Sequence, residues 1–448
     1  MRLLLSVICL AIAAVSVPAR AATAESLAPI RHIIVISLEN HSFDNLFGQF
    51  PGAEGLNQAQ ATSTQTDPEG KPYRVLPPVM DTRRQPPQPD SRFPAALPNA
   101  PFAMDGYVPP GEKTGDLVHR FYQHIAQINH GKMDRFAAIS DAGGLTMGYY
   151  EKEAPLLWRY GKAYTVADHF FHAAFGGSFL NHFWLICACT PHYGHAPPEA
   201  VIQLDTEGRL LKDGAVTPEG DAVNTLYPSA GPHPVNATAA QLLPPQIMPT
   251  IGDRLSQKNV SWAWYAGGWN AALSGRPDGL FQFHHQPFAY FAAYASGTEA
   301  GKEHLKDEAD FLRDLAGDTL PAVAFYKPLG EFNLHPGYAE MSSGEAHLAE
   351  ILKAVEASPA WKSSVVIVTF DEGGGFWDHV PPLVIDRFGP GVRVPTLVIS
   401  PFAKKGFVDH TVYDTTSILK LIETRFGLPP LGSRDAQAAD LTDALTLH

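Results

Sequence analysis

Along most of the chain, short uninterrupted apolar runs are separated by long stretches with no hydrophobic period. His32-Ile-Ile-Val-Ile-Ser-Leu38, Ala322-Val-Ala-Phe-Tyr326, the run over 364–370 and Val394-Pro-Thr-Leu-Val-Ile399 are apolar throughout. Runs of this length predict strands buried on both faces. Val260-Ser-Trp-Ala-Trp-Tyr265 alternates and predicts another strand. Val166 to His172 reads as a short strand or turn. Helical spacing appears at Ile418, Leu421, Ile422 and Phe426, with Gly427 and Pro429 behind it to stop the helix. Further helices are predicted over 116–140, from Ser178 to about Cys187, over 345–357, and as a short helix opening near Ser42. Strands that alternate with helices predict an α/β fold, a mostly parallel sheet covered on both sides. Residues 51–110 and 191–250 are rich in proline and polar residues. They read as long irregular insertions in one domain over 22–448.

The first residues change the picture of where the chain works. Arg2 is followed by an apolar run from Leu3 to Val17, too short to span a bilayer, and then by Ala19-Arg20-Ala21. This is the pattern of an export signal over residues 1–21, with a mature start near Ala22 and a periplasmic or secreted product. No later run has the length of a membrane span, so no stable anchor is expected. The 448 residues carry a formal charge of −13, which makes nucleic acid a poor partner. An anionic substrate would then need a local positive centre, which a metal ion supplies. Of three cysteines, Cys187 and Cys189 lie past the signal. On a continuous helix they would face apart, so they read as buried helix residues, with neither a disulfide nor a metal site expected.

Two apolar runs end in carboxylates. The first continues as Glu39-Asn40-His41-Ser-Phe-Asp44, and the second as Asp371-Glu372-Gly-Gly-Gly-Phe-Trp-Asp378-His379. In open α/β sheets, sites form at the C-terminal ends of strands. Runs 32–38, 364–370 and 394–399 are therefore expected side by side with those ends on one edge. Glu39, Asn40, Asp371 and Glu372 would then surround one point, and such a cluster is comfortable only around a cation. Ser178 follows Gly176-Gly177 and opens a helix, so it reads either as a nucleophile at a helix N-terminus or as a plain N-cap. The sequence lacks the G-x-S-x-G elbow, the H-E-x-x-H pair, the P-loop and the G-x-G-x-x-G fingerprint. His119, the pair His284-His285, and His335 sit in polar contexts that suit oxyanion stabilisation or leaving-group protonation.

Together these blocks resemble the bacterial phosphoesterases that include AcpA-type acid phosphatases and bacterial phospholipases C, with an alkaline phosphatase superfamily fold. The resemblance runs from about residue 30 to 445. It rests on Glu39-Asn40-His-Ser-Phe-Asp44, on Asp116 and His119 with Gly131-Lys-Met-Asp134, and on Ser178-Phe-Leu-Asn181-His182. It continues through Phe283-His284-His285-Gln-Pro-Phe288, Asn333-Leu-His335-Pro, the Asp371–His379 block, and the tail from His410 to Arg434-Asp435. It implies a three-layer sandwich and one divalent metal ion held by Glu39, Asn40, Ser178, Asp371 and Glu372. Ser178 would be the nucleophile, and His119, His284, His285 and His335 would surround the phosphoryl group. His335 or His119 would protonate the leaving alcohol. Leu180 and His182 depart from the family's [ST]-x-P-N-R pattern, standing where it has proline and arginine, and bear on pocket shape and substrate preference. The implied activity is an exported acid phosphatase acting on small phosphomonoesters, with phospholipase C as the alternative.

Overall fold

The structure is a computed structural model and describes residues 22–151 and 154–447. The export signal expected over residues 1–21 falls outside the described residues. Eight strands form the central sheet: β1 (His32–Leu38), β2 (Thr165–Ala167), β3 (Trp262–Ala266), β4 (Leu305–Asp307), β5 (Val323–Lys327), β6 (Ser364–Phe370), β7 (Thr396–Ile399) and β8 (Phe407–Asp409). Their spatial order is β4-β3-β5-β1-β6-β7-β2-β8. β1 lies between β5 and β6 and runs parallel to both, with Ile36 opposite Tyr326 and Leu38 opposite Phe370. Every residue of β5 and β6 is buried, as the unbroken apolar runs require.

The helices that bear on the argument are α1 (Phe43–Phe47), α2 (Phe121–Ile128), α3 (Pro155–Ala163), α4 (Ser178–Cys187), α5 (Glu308–Ala316), α6 (Met341–Ala357) and α7 (Thr415–Phe426). They pack in two groups, α4 with α7, and α6 with α3 and α5. Fully buried strands between two helix groups make the α/β architecture expected from the sequence. Segments 51–110 and 191–250 hold only strands of two or three residues and single 3₁₀ turns. No helix among the described residues is long and apolar enough to cross a membrane.

Two expectations are corrected. β7 neighbours β6 but runs antiparallel to it, with Val366 opposite Ile399 and Thr369 opposite Thr396. The start of β7, not its end, therefore reaches the edge where β1 and β6 end. No helix separates residues 371 and 395, so nothing carries the chain to the other edge before it re-enters the sheet. The second correction concerns the cysteines. Helix α4 ends at Cys187, Ala188 turns left-handed at φ 48°, and Cys187 and Cys189 form a disulfide with Cα atoms 5.1 Å apart. The expectation assumed that the helix continued, whereas the left-handed residue folds Cys189 back onto Cys187.

One buried cation ties the loops of the site edge together. Arg393 is fully buried; its Nε donates to Asp378 Oδ1 at 2.8 Å and its Nη2 to Asp44 Oδ1 at 3.2 Å. Its Nη1 donates to the carbonyls of Glu54 and Asp168 at 2.8 and 2.9 Å. Asp44 and Asp378, which the sequence places in the carboxylate motifs, therefore belong to this clamp. Removing one partner of a buried ionic network strands the others, at about 3–5 kcal/mol. Arg393→Met is expected to lose stability on that scale in urea unfolding followed by circular dichroism. A loss under ~1 kcal/mol would show that the clamp holds nothing.

Candidate active site

Strand register sets the positions of the acidic groups. β1 and β6 finish level with each other, so the next residues, Glu39 and Asp371, leave the sheet side by side. Asp371 N–H still bonds Leu38 O at 3.0 Å. Asn40 then turns left-handed at φ 65°, and its N–H donates to Asp371 Oδ1 at 3.2 Å. Gly374 permits that turn to pack: at φ 62° it lies so close that a Cβ would sit 2.1 Å from Asn40 O. Its N–H holds Glu372 Oε2 at 2.6 Å. Glu39, Asn40, Asp371 and Glu372 are all buried.

Ser178 meets this cluster from the other side. The N-cap of α4 is Gly177, so Ser178 is the first helical residue and its side chain makes no cap. Its hydroxyl is shared between Glu39 Oε2 at 3.1 Å and Asn40 Oδ1 at 3.2 Å. Asn181 fixes the preceding turn, accepting from Ala174 N–H at 2.9 Å and donating to Ala174 O at 3.0 Å. Gly176, at φ 85°, passes so close to the 119–121 segment that a Cβ would lie 2.7 Å from Phe121 N. That contact fixes His119 relative to Ser178.

The four histidines separate by position. His335 Nε2 lies 2.9 Å from Asn40 Nδ2 and its Nδ1 2.7 Å from Pro336 O. These partners assign the Nδ1–H tautomer, with Nε2 accepting from the amide. His119 Nδ1 lies 2.5 Å from Leu117 O, and its Nε2 lies 3.9 Å from Glu372 Oε1. Burial alone would push His119 down, but the charges of Glu372 and Asp116 outweigh it and raise it to about 9. His284 lines the cleft above Ser178 and is held neutral by burial. His285 is turned away from the cleft, with its Nε2 2.9 Å from Glu39 Oε1.

Lys327, the last residue of β5, was not recognised in the sequence. It is fully buried, and its Nζ pairs with Glu39 Oε1 and lies 3.4 Å from Asp371 Oδ2. The signal was available, because Lys327 ends an apolar run as Glu39 and Asp371 follow theirs. Burial would raise Glu39, yet Lys327 and His285 hold it well below the usual carboxylate range. Asp371 is pushed up to about 7 by burial and then by the charge of Glu39. Glu372 is raised by burial and by Asp371. His182 is buried, with Nε2 3.7 Å from Asp371 Oδ2 and no hydrogen bond to either ring nitrogen.

These atoms fit a cation. Glu372 Oε1 is buried without a hydrogen-bond partner, whereas Glu39 Oε1 is held by Lys327 and His285. Glu39, Asp371 and Glu372 outnumber Lys327, the lysine buried among them, and a cation would relieve their mutual repulsion. The cleft over Ser178 has a volume of about 140 Å³ and is lined mainly by polar side chains, among them His119, Asn224, Gln282, His284, His335 and Tyr338. Arg120, at its rim, is already paired with Asp213.

Non-hemolytic phospholipase C of Pseudomonas aeruginosa is 24% identical to this chain over 463 residues. That alignment takes in 94% of this chain but only 57% of the relative, so the chain spans little more than half of it. Phospholipase C B of Mycobacterium tuberculosis H37Rv is also 24% identical, over 93% of this chain and 77% of its own. Among solved structures, a protein in the alkaline phosphatase superfamily from Vibrio parahaemolyticus aligns with 85% of this chain and 77% of its own, at 11% identity and a TM-score of 0.37. The model of the Phosphoesterase family matches residues 30–429, from the start of β1 to beyond α7, and the chain belongs to that family.

Proposed function

We propose that this chain is an exported, metal-assisted phosphoesterase that hydrolyses phosphomonoesters through a phosphoserine on Ser178. One observation carries the reading. The Ser178 hydroxyl stands at the start of a ten-residue helix, uncommitted to capping and bonded to Glu39 and Asn40 within the buried carboxylate cluster. A divalent ion held by Glu39, Asn40, Ser178, Asp371 and Glu372 would supply positive charge that lowers the hydroxyl pKa and screens the phosphoryl oxygens.

The chain's own groups do the rest. Glu39 Oε2 accepts the Ser178 proton, while Lys327 and His285 hold its other oxygen. His335 orients the Asn40 amide so that Oδ1 faces Ser178. The free N–H groups at the start of α4 face the developing negative charge. Ser178 Oγ forms the bond to phosphorus as the bond to the ester oxygen breaks, and a proton must reach that oxygen. His119 suits this step better than His335, because the charges of Glu372 and Asp116 favour its protonated form, and the Asn40 amide lies closer to His335 Nε2, at 2.9 Å, than to His119 Nε2, at 3.4 Å. Water then cleaves the phosphoserine and releases phosphate.

A small cleft walled by polar side chains favours a compact phosphomonoester. The relatives' names favour a second reading, phospholipase C acting on phosphodiester headgroups. The Cys187–Cys189 disulfide supports export, since disulfides persist in oxidising compartments. If the export reading is right, protein recovered from the periplasm or medium will begin near Ala22 on N-terminal sequencing. An intact Met1 would refute it.

Turnover of p-nitrophenyl phosphate is expected to exceed that of p-nitrophenylphosphorylcholine and to stop on chelation. Ser178→Ala should cost at least ~10³-fold in kcat, on the scale of a deleted nucleophile. Near-normal turnover in that variant removes the covalent route, and a preference for the choline diester establishes the second reading.

The acid role of His119 has its own signature. Activity on alkyl phosphates should be full while His119 is protonated and fall as pH rises through about 9. His119→Asn should cost alkyl phosphates about 10²–10⁴-fold in kcat/KM and flatten the alkaline limb. It should cost p-nitrophenyl phosphate far less, because that leaving group departs without a proton. Equal losses on both substrates would assign the acid elsewhere.

A further inference from the structure

A second cluster of donor atoms lies on the same sheet edge, two strands beyond β6. β2 ends at Ala167 and β8 at Asp409, parallel to each other and level. The residues that follow are Asp168-His169 and His410. Asp168 is fully buried, and two imidazoles converge on it through the same ring atom. His169 Nδ1 lies 2.9 Å from Oδ1, and His410 Nδ1 lies 2.9 Å from Oδ2. One oxygen of Asp168 and one ring nitrogen from each of His169 and His410 lie within 4.8 Å of one another. Asp168 Oδ2 also accepts the Glu54 N–H at 2.8 Å, which fixes the carboxylate.

The surroundings resemble an outer shell. His169 Nε2 faces Glu54 Oε2 at 3.0 Å, as a ligating histidine usually gives its second N–H to a carboxylate. An independent observation comes from His379, whose side chain is only 4% exposed. Its Nδ1 is bound to Asp44 at 2.6 Å, and its Nε2 is buried without a hydrogen bond, 3.8 Å from Glu54 Oε1. Arg393 pairs with the carboxylates of Asp44 and Asp378 and meets Glu54 and Asp168 only through their carbonyls, so it leaves the Asp168 and Glu54 carboxylates without a guanidinium partner. His410 is 59% exposed, so the cluster opens to solvent.

We propose that Asp168, His169 and His410 form a second cation site, braced by Glu54 and separate from the carboxylates beside Ser178. Two imidazole nitrogens with one carboxylate select zinc or a similar late first-row divalent ion over magnesium or calcium. The open side leaves a coordination position for water.

The site is tested in the full chain with zinc as the probe. The Asp371→Asn/Glu372→Gln background removes two acidic ligands of the proposed catalytic metal. After dialysis against zinc it should retain about one equivalent by elemental analysis and melt at higher temperature than its chelated form. Adding His169→Gln and His410→Gln should remove that zinc and that shift, with the circular dichroism spectrum unchanged. Zinc that persists in the fourfold variant, or a background that binds none, overturns the proposal. Should the background fail to fold, His410→Gln in the otherwise unaltered chain decides. It should weaken zinc at one site by at least about tenfold while leaving p-nitrophenyl phosphate hydrolysis unchanged, and zinc binding equal to wild type overturns the proposal. The readout is the zinc lost with His169 and His410, so failure of the catalytic-metal reading would not be mistaken for failure of this one.

Discussion

Three carboxylates buried at the ends of adjacent strands are the constraint around which this edge of the molecule is built. Glu39, Asp371 and Glu372 each give up hydration that a protein interior does not return. The chain offsets part of that cost with its own groups: Lys327 from the neighbouring strand, His285 against Glu39, and N–H groups from Asn40, Glu372 and Gly374. The offset is incomplete, because one buried lysine faces three carboxylates. Incompleteness of this kind is costly in a purely structural network, where a well-packed apolar cluster would serve at least as well. It is what a site needs if it is to hold a divalent ion and still attract a phosphate dianion.

The same constraint explains the rigidity of the elements around Ser178. A nucleophile works only if the reacting atoms are held within a few tenths of an ångström of the productive geometry. Here the hydroxyl position follows from the start of α4, which Asn181 fixes by bonding both backbone groups of Ala174. Gly176 brings the His119 segment against the same turn. Ser178, His119 and the carboxylate cluster therefore come from distant parts of the chain, yet the turns that carry them are set by close backbone contacts. Asn181 had been noticed in the sequence only as part of a motif, and its work is positional.

Legibility followed one rule. Apolar runs marked the strands, and residues just past their ends marked the site, so Glu39, Asn40, Asp371 and Glu372 could be found without coordinates. Lys327 obeys that rule and was passed over because a lysine after an apolar run also reads as a solvated strand end. Arg393 could not be found this way, since it precedes β7 and acts at the edge only because β7 is reversed. That reversal depends on the missing helix between 371 and 395, and an irregular stretch in sequence does not reveal which edge it stays on. The disulfide was missed for a related reason: one left-handed residue, Ala188, ended a helix whose apolar pattern gave no stop signal.

Arg393 also explains how one sheet edge can carry two groups of titratable residues without merging them. Its guanidinium takes Asp44 and Asp378 out of reach of the cluster at Ser178, although both lie within seven residues of that cluster's ligands in sequence. Its remaining N–H groups hold the carbonyls of Glu54 and Asp168, and so fix the backbone of the outer cluster. Lys327 plays the matching part on the inner side. Each cation faces a surplus of carboxylate, and neither neutralises its neighbours. Two fixed cations divide the negative charge of the edge into an enclosed inner group and an outer group open to solvent.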